Sequence, residues 1–115
     1  MREDVKKAWV EALRSGQYNQ TKSWPKKYVD GVCYHCALGV LCELVREEFD
    51  LVEQVEFTDH MNFAQRSSYF FGVGVPEDVA YSLGLSHHNQ RNILRMNDID
   101  GNSFAEIADY IEQNL

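Results

Sequence analysis

This 115-residue chain reads as an α+β domain, and three observations predict that class. The segment from Cys36 to Val45, CALGVLCELV, is apolar on every side except at Glu43. A surface helix carries an apolar stripe and a polar back, so a helix that is apolar all round is buried on most sides. Residues 51–57 (LVEQVEF) and 68–73 (SYFFGV) carry the β-branched and aromatic residues of strands. Around them, apolar residues recur at three- and four-residue spacing between recognisable helix start and stop signals. Together these predict about five helices around a central one at about 34–48, with a small antiparallel sheet or hairpin, in a single globular domain over 1–115.

The elements follow in chain order. Val5, Ala8, Trp9, Ala12 and Leu13 line one face of a helix over 3–15, which Gly16 ends. Trp24-Pro25 excludes a helix, because proline disfavours a helical residue before it. Asp30-Gly31, flanked by Tyr28, Val29 and Val32, suits the turn of a short hairpin and a plain loop equally. The central helix follows and emerges into solvent at Arg46, Glu47 and Glu48. The two strand-like segments come next, joined by a polar loop holding Asp59, His60, Asn62 and Arg66.

Pro76 stands at the first turn of the next helix, followed by Glu77 and Asp78, which complement the positive end of the helix dipole. Gly84 ends it, and Ser86 caps a further helix at about 87–97 with Ile93, Leu94 and Met96 as its apolar residues. Asp100-Gly101 makes a turn. Ser103-Phe-Ala-Glu106 is a capping box opening a last helix at about 104–113, with Phe104, Ile107, Ala108 and Ile111 inward.

The net charge of −7 is unevenly placed. Residues 1–27 hold seven Lys/Arg and three Asp/Glu, a balance of +4, whereas residues 28–115 hold four and fifteen, a balance of −11. An acidic chain disfavours direct nucleic-acid binding, which needs cations to neutralise phosphates. No run approaches the eighteen apolar residues of a membrane span, and the charged start MREDVKK does not suit a signal peptide. Three cysteines, an odd number in an apolar setting, suit a reduced cytoplasmic protein rather than a disulfide framework.

Several pieces recur, in this order, in a family of small proteins from tailed phages, prophages and bacteria. They are WVEALRSGQYNQ, YHCALGVLC followed by ELV, VPEDVAYSLGL, NQRNILRMND and SFAEIADYIEQNL. The chain resembles that family over nearly its full length, with LGVLC and MND…SFAEIADYIE as the most specific set. The resemblance implies a phage or prophage origin and little chemistry. Members commonly read YCCLGVLC where this chain has YHCALGVLC, so His35 marks a departure that weakens any shared cysteine role.

Cys33, His35, Cys36 and Cys42 lack the paired, well-separated ligand clusters of a structural zinc site, and Cys36 and Cys42 point to different sides of a helix. Neither metal nor cofactor is expected. A thiol near a helix start, Cys33 or Cys36, could serve as a nucleophile, with Gln20 nearby in function, His60, His87 or His88 as base, and Asn97 or Asp98 as orienter. Cys36, His60 and Asp98 are the catalytic candidates on that view. Binding candidates are Asn97 and Asp98, and Tyr69 and Phe71, because three successive aromatics on a strand cannot all face one side. The expectation is a cytoplasmic accessory protein that binds a host or viral protein, without nucleic acid or membrane. The alternatives are a cysteine- or metal-dependent enzyme using Cys33 or Cys36 and, more remotely, an acidic DNA mimic.

Overall fold

The structure is a computed structural model that describes residues 1–59, 64–68 and 74–115. Its described elements are α1 (Glu3–Arg14), β1 (Asn19–Gln20), β2 (Lys26–Val29), β3 (Val32–His35), α2 (Ala37–Val45), β4 (Gln54–Asp59), β5 (Ala64–Ser68), α3 (Glu77–Leu83), α4 (His87–Asp98) and α5 (Phe104–Asn114). The class is α+β, with five helices and one sheet of order β1-β3-β2-β5-β4. Among the described residues, no helix is long and apolar enough to cross a membrane.

α2 is the hub. Ala37 to Cys42 and Val45 are all buried, and only Glu43 and Leu44 reach partly outward. It packs on α1 and α4, while α5 closes over α1. The Trp9 indole lies in this interface, with Nε1 donating to the Ala37 carbonyl at 2.9 Å. Leu41 is 0 % exposed. Leu41→Ala should therefore cost about 2–5 kcal/mol, from lost transfer energy plus the cavity left behind. An unchanged denaturation midpoint would show that α2 is not the centre of the core.

The central helix is shorter than its composition predicts. Tyr34 and His35 belong to β3, and Cys36 takes an extended conformation as N-cap, its Sγ accepting from Gly39 N at 3.4 Å. Pairing decides this. His35 sits opposite Lys26 in β2 and Gln20 in β1, and that ladder holds the chain extended until Cys36. At the other end, residues 46–50 are turns that close on Asp50 in a left-handed conformation, with Leu51 N bonded to Arg46 O at 3.0 Å.

The hairpin at Asp30-Gly31 joins β2 to β3, and both turn residues have positive φ (51° and 81°). That is the primed geometry whose twist matches paired strands, and the second site favours glycine. The sheet is mixed rather than purely antiparallel, because β1 runs parallel to β3. The strand expected at 51–57 lies at Gln54–Asp59. Of the strand expected at 68–73 only Ser68 is described, and it ends a strand at Ala64–Ser68, while 69–73 lie outside the described residues. Polar AQRSS forms a strand because it is flanked by partners on both sides, β2 and β4. Arg66 thus lies in β5 rather than a loop, and Asp59 ends β4.

The remaining helices begin and end close to expectation, since their signals are local. Ser86 accepts from Asn89 N at 3.1 Å. The Ser103–Glu106 capping box is formed in both directions, with Ser103 Oγ accepting from Glu106 N at 3.2 Å and Glu106 Oε1 accepting from Ser103 N at 3.0 Å. Each bond satisfies a helix-end N–H that has no internal partner. Ser103→Ala should cost about 0.5–2 kcal/mol, and Ser103→Gly distinctly less, in thermal melts. The backbone and side-chain hydrogen bonds of Ser103, with Asn102, hold Glu106 below its ordinary range. Its contribution is therefore complete above the ordinary glutamate range and is lost as the pH falls through the lowered value.

Candidate functional site

Two polar clusters flank α2. The first is at its N-terminus and gathers several residues singled out from the sequence. Asn97, in the last turn of α4, is 1 % exposed. Its Oδ1 accepts from Ala37 N at 3.2 Å and from Gln20 Nε2 at 3.0 Å, while its Nδ2 donates to the Thr21 carbonyl and to Asp98 Oδ1, both at 2.8 Å. Asp98 Oδ1 also accepts from Ser23 N at 2.9 Å. Asn97 thereby caps α2, supplying an acceptor for the first N–H of a helix whose start is buried. It also ties α4 to the loop after β1. A cavity of about 200 Å³ opens beside it, lined by Gln20, Thr21, Lys22, Asn97, Gly101 and Asn102.

Cys36 joins this junction as the α2 cap and is 2 % exposed. Burial pushes its thiol up to about 12, with a smaller push from the Asp98 carboxylate. Burial also raises Cys42, which lies wholly in the core. Neither forms a thiolate readily near neutral pH. All three cysteines are free thiols. So Cys36, Asn97, Asp98 and Gln20 meet, in a junction of satisfied hydrogen bonds. His87 and His88 are exposed in the first turn of α4, with His88 Nε2 at 3.2 Å from Asn92 Nδ2. His60, Tyr69 and Phe71 lie outside the described residues.

The second cluster lies where the sheet meets α2. Lys26, on β2, is 7 % exposed, and its Nζ is 3.2 Å from Glu43 Oε1 and 3.4 Å from Glu53 Oε1. Burial alone would lower this lysine. A hydrogen bond that the ammonium donates to Tyr28, together with the two carboxylates, outweighs burial and holds it above its ordinary range. Arg46 reaches the same two carboxylates, at 3.8 Å to Glu43 and 3.7 Å to Glu53.

His35 completes the cluster from β3. Its Nε2 is 3.4 Å from Glu43 Oε1, its Nδ1 is 4.0 Å from Cys33 Sγ, and the Tyr18 ring meets it edge-on with centroids 5.2 Å apart. Sequence reasoning missed Lys26 and Glu43 as site residues. The available signal was Glu43 itself, the one polar side chain in an otherwise apolar helix, which a buried position obliges to find cations or donors. Among the described residues, no group of three or more His, Cys, Asp or Glu side chains is arranged to hold a metal ion.

Ion pairs also offset part of the uneven charge of the sequence. Arg2 makes a two-pronged contact with Glu48, both prongs at 2.6 Å. Arg14 bridges Asp109 at 2.6 Å and Glu112 at 2.8 Å. With Lys26, three cations from the basic N-terminal stretch are thus spent on acids from the rest of the chain.

A mixed sheet stacked on a buried helix, with a polar cluster at each end of the contact, defines a small α+β domain. The chain belongs to the family described as Domain of unknown function (DUF8296), whose model matches residues 1–115. No curated protein and no solved structure matches it.

Proposed function

We propose that the protein is a small cytoplasmic accessory factor of phage or prophage origin that works by binding a host or viral protein, one presenting a basic surface. The observation that carries this reading is the pattern of leftover charge. Arg2, Arg14 and Lys26 are occupied by internal ion pairs. Glu47, Asp50, Glu77 and Asp78 are exposed, and none forms an ion pair among the described residues. Surface acids with no internal partner attract a cationic surface and speed its approach, an effect that salt screens. The phage association rests on the resemblance of the LGVLC and MND…SFAEIADYIE segments.

The test is capture from host lysate on immobilised protein, at low and raised salt, alongside the variants Glu47→Lys/Asp50→Lys and Glu77→Lys/Asp78→Lys. A stoichiometric partner that salt releases and that one of the charge reversals loses is the expected result. Capture that ignores both salt and charge reversal would refute the acidic surface as the binding determinant, and no stoichiometric partner would refute the binding role.

A further inference from the structure

Cys33 differs from the other two thiols. It lies on β3, two residues past the Asp30-Gly31 turn, and is partly exposed. The strand period places its side chain on the same face as His35. His35 in turn is 6 % exposed, held between Glu43 and the Tyr18 ring, with Lys26 on the same Glu43 oxygen. A neutral imidazole has one donor and one acceptor nitrogen. A carboxylate can only accept, so Glu43 places the proton on Nε2 and leaves the Nδ1 lone pair directed at Cys33 Sγ. A base in reach of a thiol, oriented by a third group, is the arrangement that activates nucleophiles.

We propose that Cys33 is a nucleophilic thiol with His35 as its general base and Glu43 as a positioning residue, and that it accepts acyl groups from activated esters. The Sγ proton passes to His35 Nδ1 as sulfur attacks the carbonyl carbon. The ester C–O bond breaks, and the departing oxygen takes the proton from His35, leaving an S-acyl Cys33. Water attacks that thioester, giving its proton to Nδ1, which returns it to the departing Sγ. The free acid is released and the thiol restored. The 4.0 Å Cys33–His35 separation shortens when substrate is bound, as such contacts commonly do. Acyl transfer fits better than disulfide exchange because Cys36 and Cys42 are buried and offer no resolving thiol. This site is independent of the partner-binding surface.

The probe is p-nitrophenyl acetate on the whole protein, followed by release of p-nitrophenolate and by peptide mass mapping, with glutathione as the reference thiol. The expected result is a burst stoichiometric with protein, acetyl on Cys33 alone, and a rate at least about 10-fold above glutathione at neutral pH, within the range positioned bases supply. His35→Gln, checked for folding by circular dichroism, should lower the acylation rate by about 100-fold. Glu43→Gln should give a smaller loss with an altered pH–rate profile, and Glu43→Asp should restore part of the rate, which a merely structural role would not do. Acylation of Cys33 no faster than glutathione overturns the proposal even if His35→Gln fails to fold. So does a folded His35→Gln protein that keeps the wild-type rate.

Discussion

Gly39→Ala should unfold the protein or bring it close to unfolding, although the same change in a helix interior ordinarily stabilises. Alanine is favoured over glycine there by about 0.5–1 kcal/mol, because glycine loses more freedom on folding. At position 39 the added methyl has no room. A Cβ built on Gly39 would overlap the carbonyl group of Pro25 and its Cα. That obstacle is backbone. The Pro25 residue is itself buried, and its carbonyl accepts from Cys36 N at 3.3 Å, the bond that brings the β2 entry against the start of α2. Relieving the clash means moving a strand entry or a helix, so the usual overpacking cost of about 1–3 kcal/mol is a lower bound. We expect about 5 kcal/mol, in the range that marks a specific structural conflict. For a domain of this size that corresponds to a fall of roughly 15–30 °C in melting temperature. A melting temperature for Gly39→Ala at or above wild type would show that α2 and the Pro25 segment do not approach this closely.

How much of this was legible beforehand depends on how local each signal is. Helices α3, α4 and α5 are bounded by Pro76, Ser86 and the Ser103–Glu106 box, residues that act on their own neighbours, and those bounds agree with the structure to within a residue or so. The turn at Asp30-Gly31 was legible for the same reason, but the dipeptide suits a loop as well as a hairpin, and the pairing of β2 with β3 decides between them. Strand β5 was not, because AQRSS has no strand composition and owes its conformation to β2 and β4. The start of α2 was misplaced because Tyr34 and His35 suit a helix or a strand equally, and the ladder with Lys26 and Lys27 decides between them. The same limit governs the sites. Cys36, Asn97 and Asp98 were chosen as residue types, and the structure brings them together, yet nothing local reveals that Asn97 is buried beneath a helix start. Glu43 announced a half-buried polar group; its partners Lys26 and His35, and Glu53 beyond Lys26, could not be read from spacing, since each comes from a different segment.

The second large effect is expected at Asn97. The side chain makes four hydrogen bonds with both ends of its amide, and leucine keeps the branching, with somewhat more bulk, while making none. Asn97→Leu leaves the Ala37 N–H, the Thr21 carbonyl and one Gln20 contact without this partner, in a site where Asn97 is 1 % exposed. Each buried group left unsatisfied costs about 1–3 kcal/mol, whereas removing both partners together would have been nearly neutral. The three groups sum to about 3–9 kcal/mol, reduced where the adjacent cavity lets water reach Gln20 and Thr21. Ala37 N–H has no such relief, because Ala37 lies in the core at the first turn of α2. Amide hydrogen exchange at Ala37 should therefore accelerate in step with the loss of global stability in urea. Asn97→Asp distinguishes the bonds: a carboxylate still accepts from Ala37 and Gln20, but it cannot donate to Thr21 and it faces the Asp98 carboxylate. It should fall between wild type and Asn97→Leu at neutral pH. If Asn97 instead belongs to a binding site, Asn97→Leu keeps its urea midpoint and loses only the captured partner. That outcome would overturn its assignment as the acceptor that caps α2.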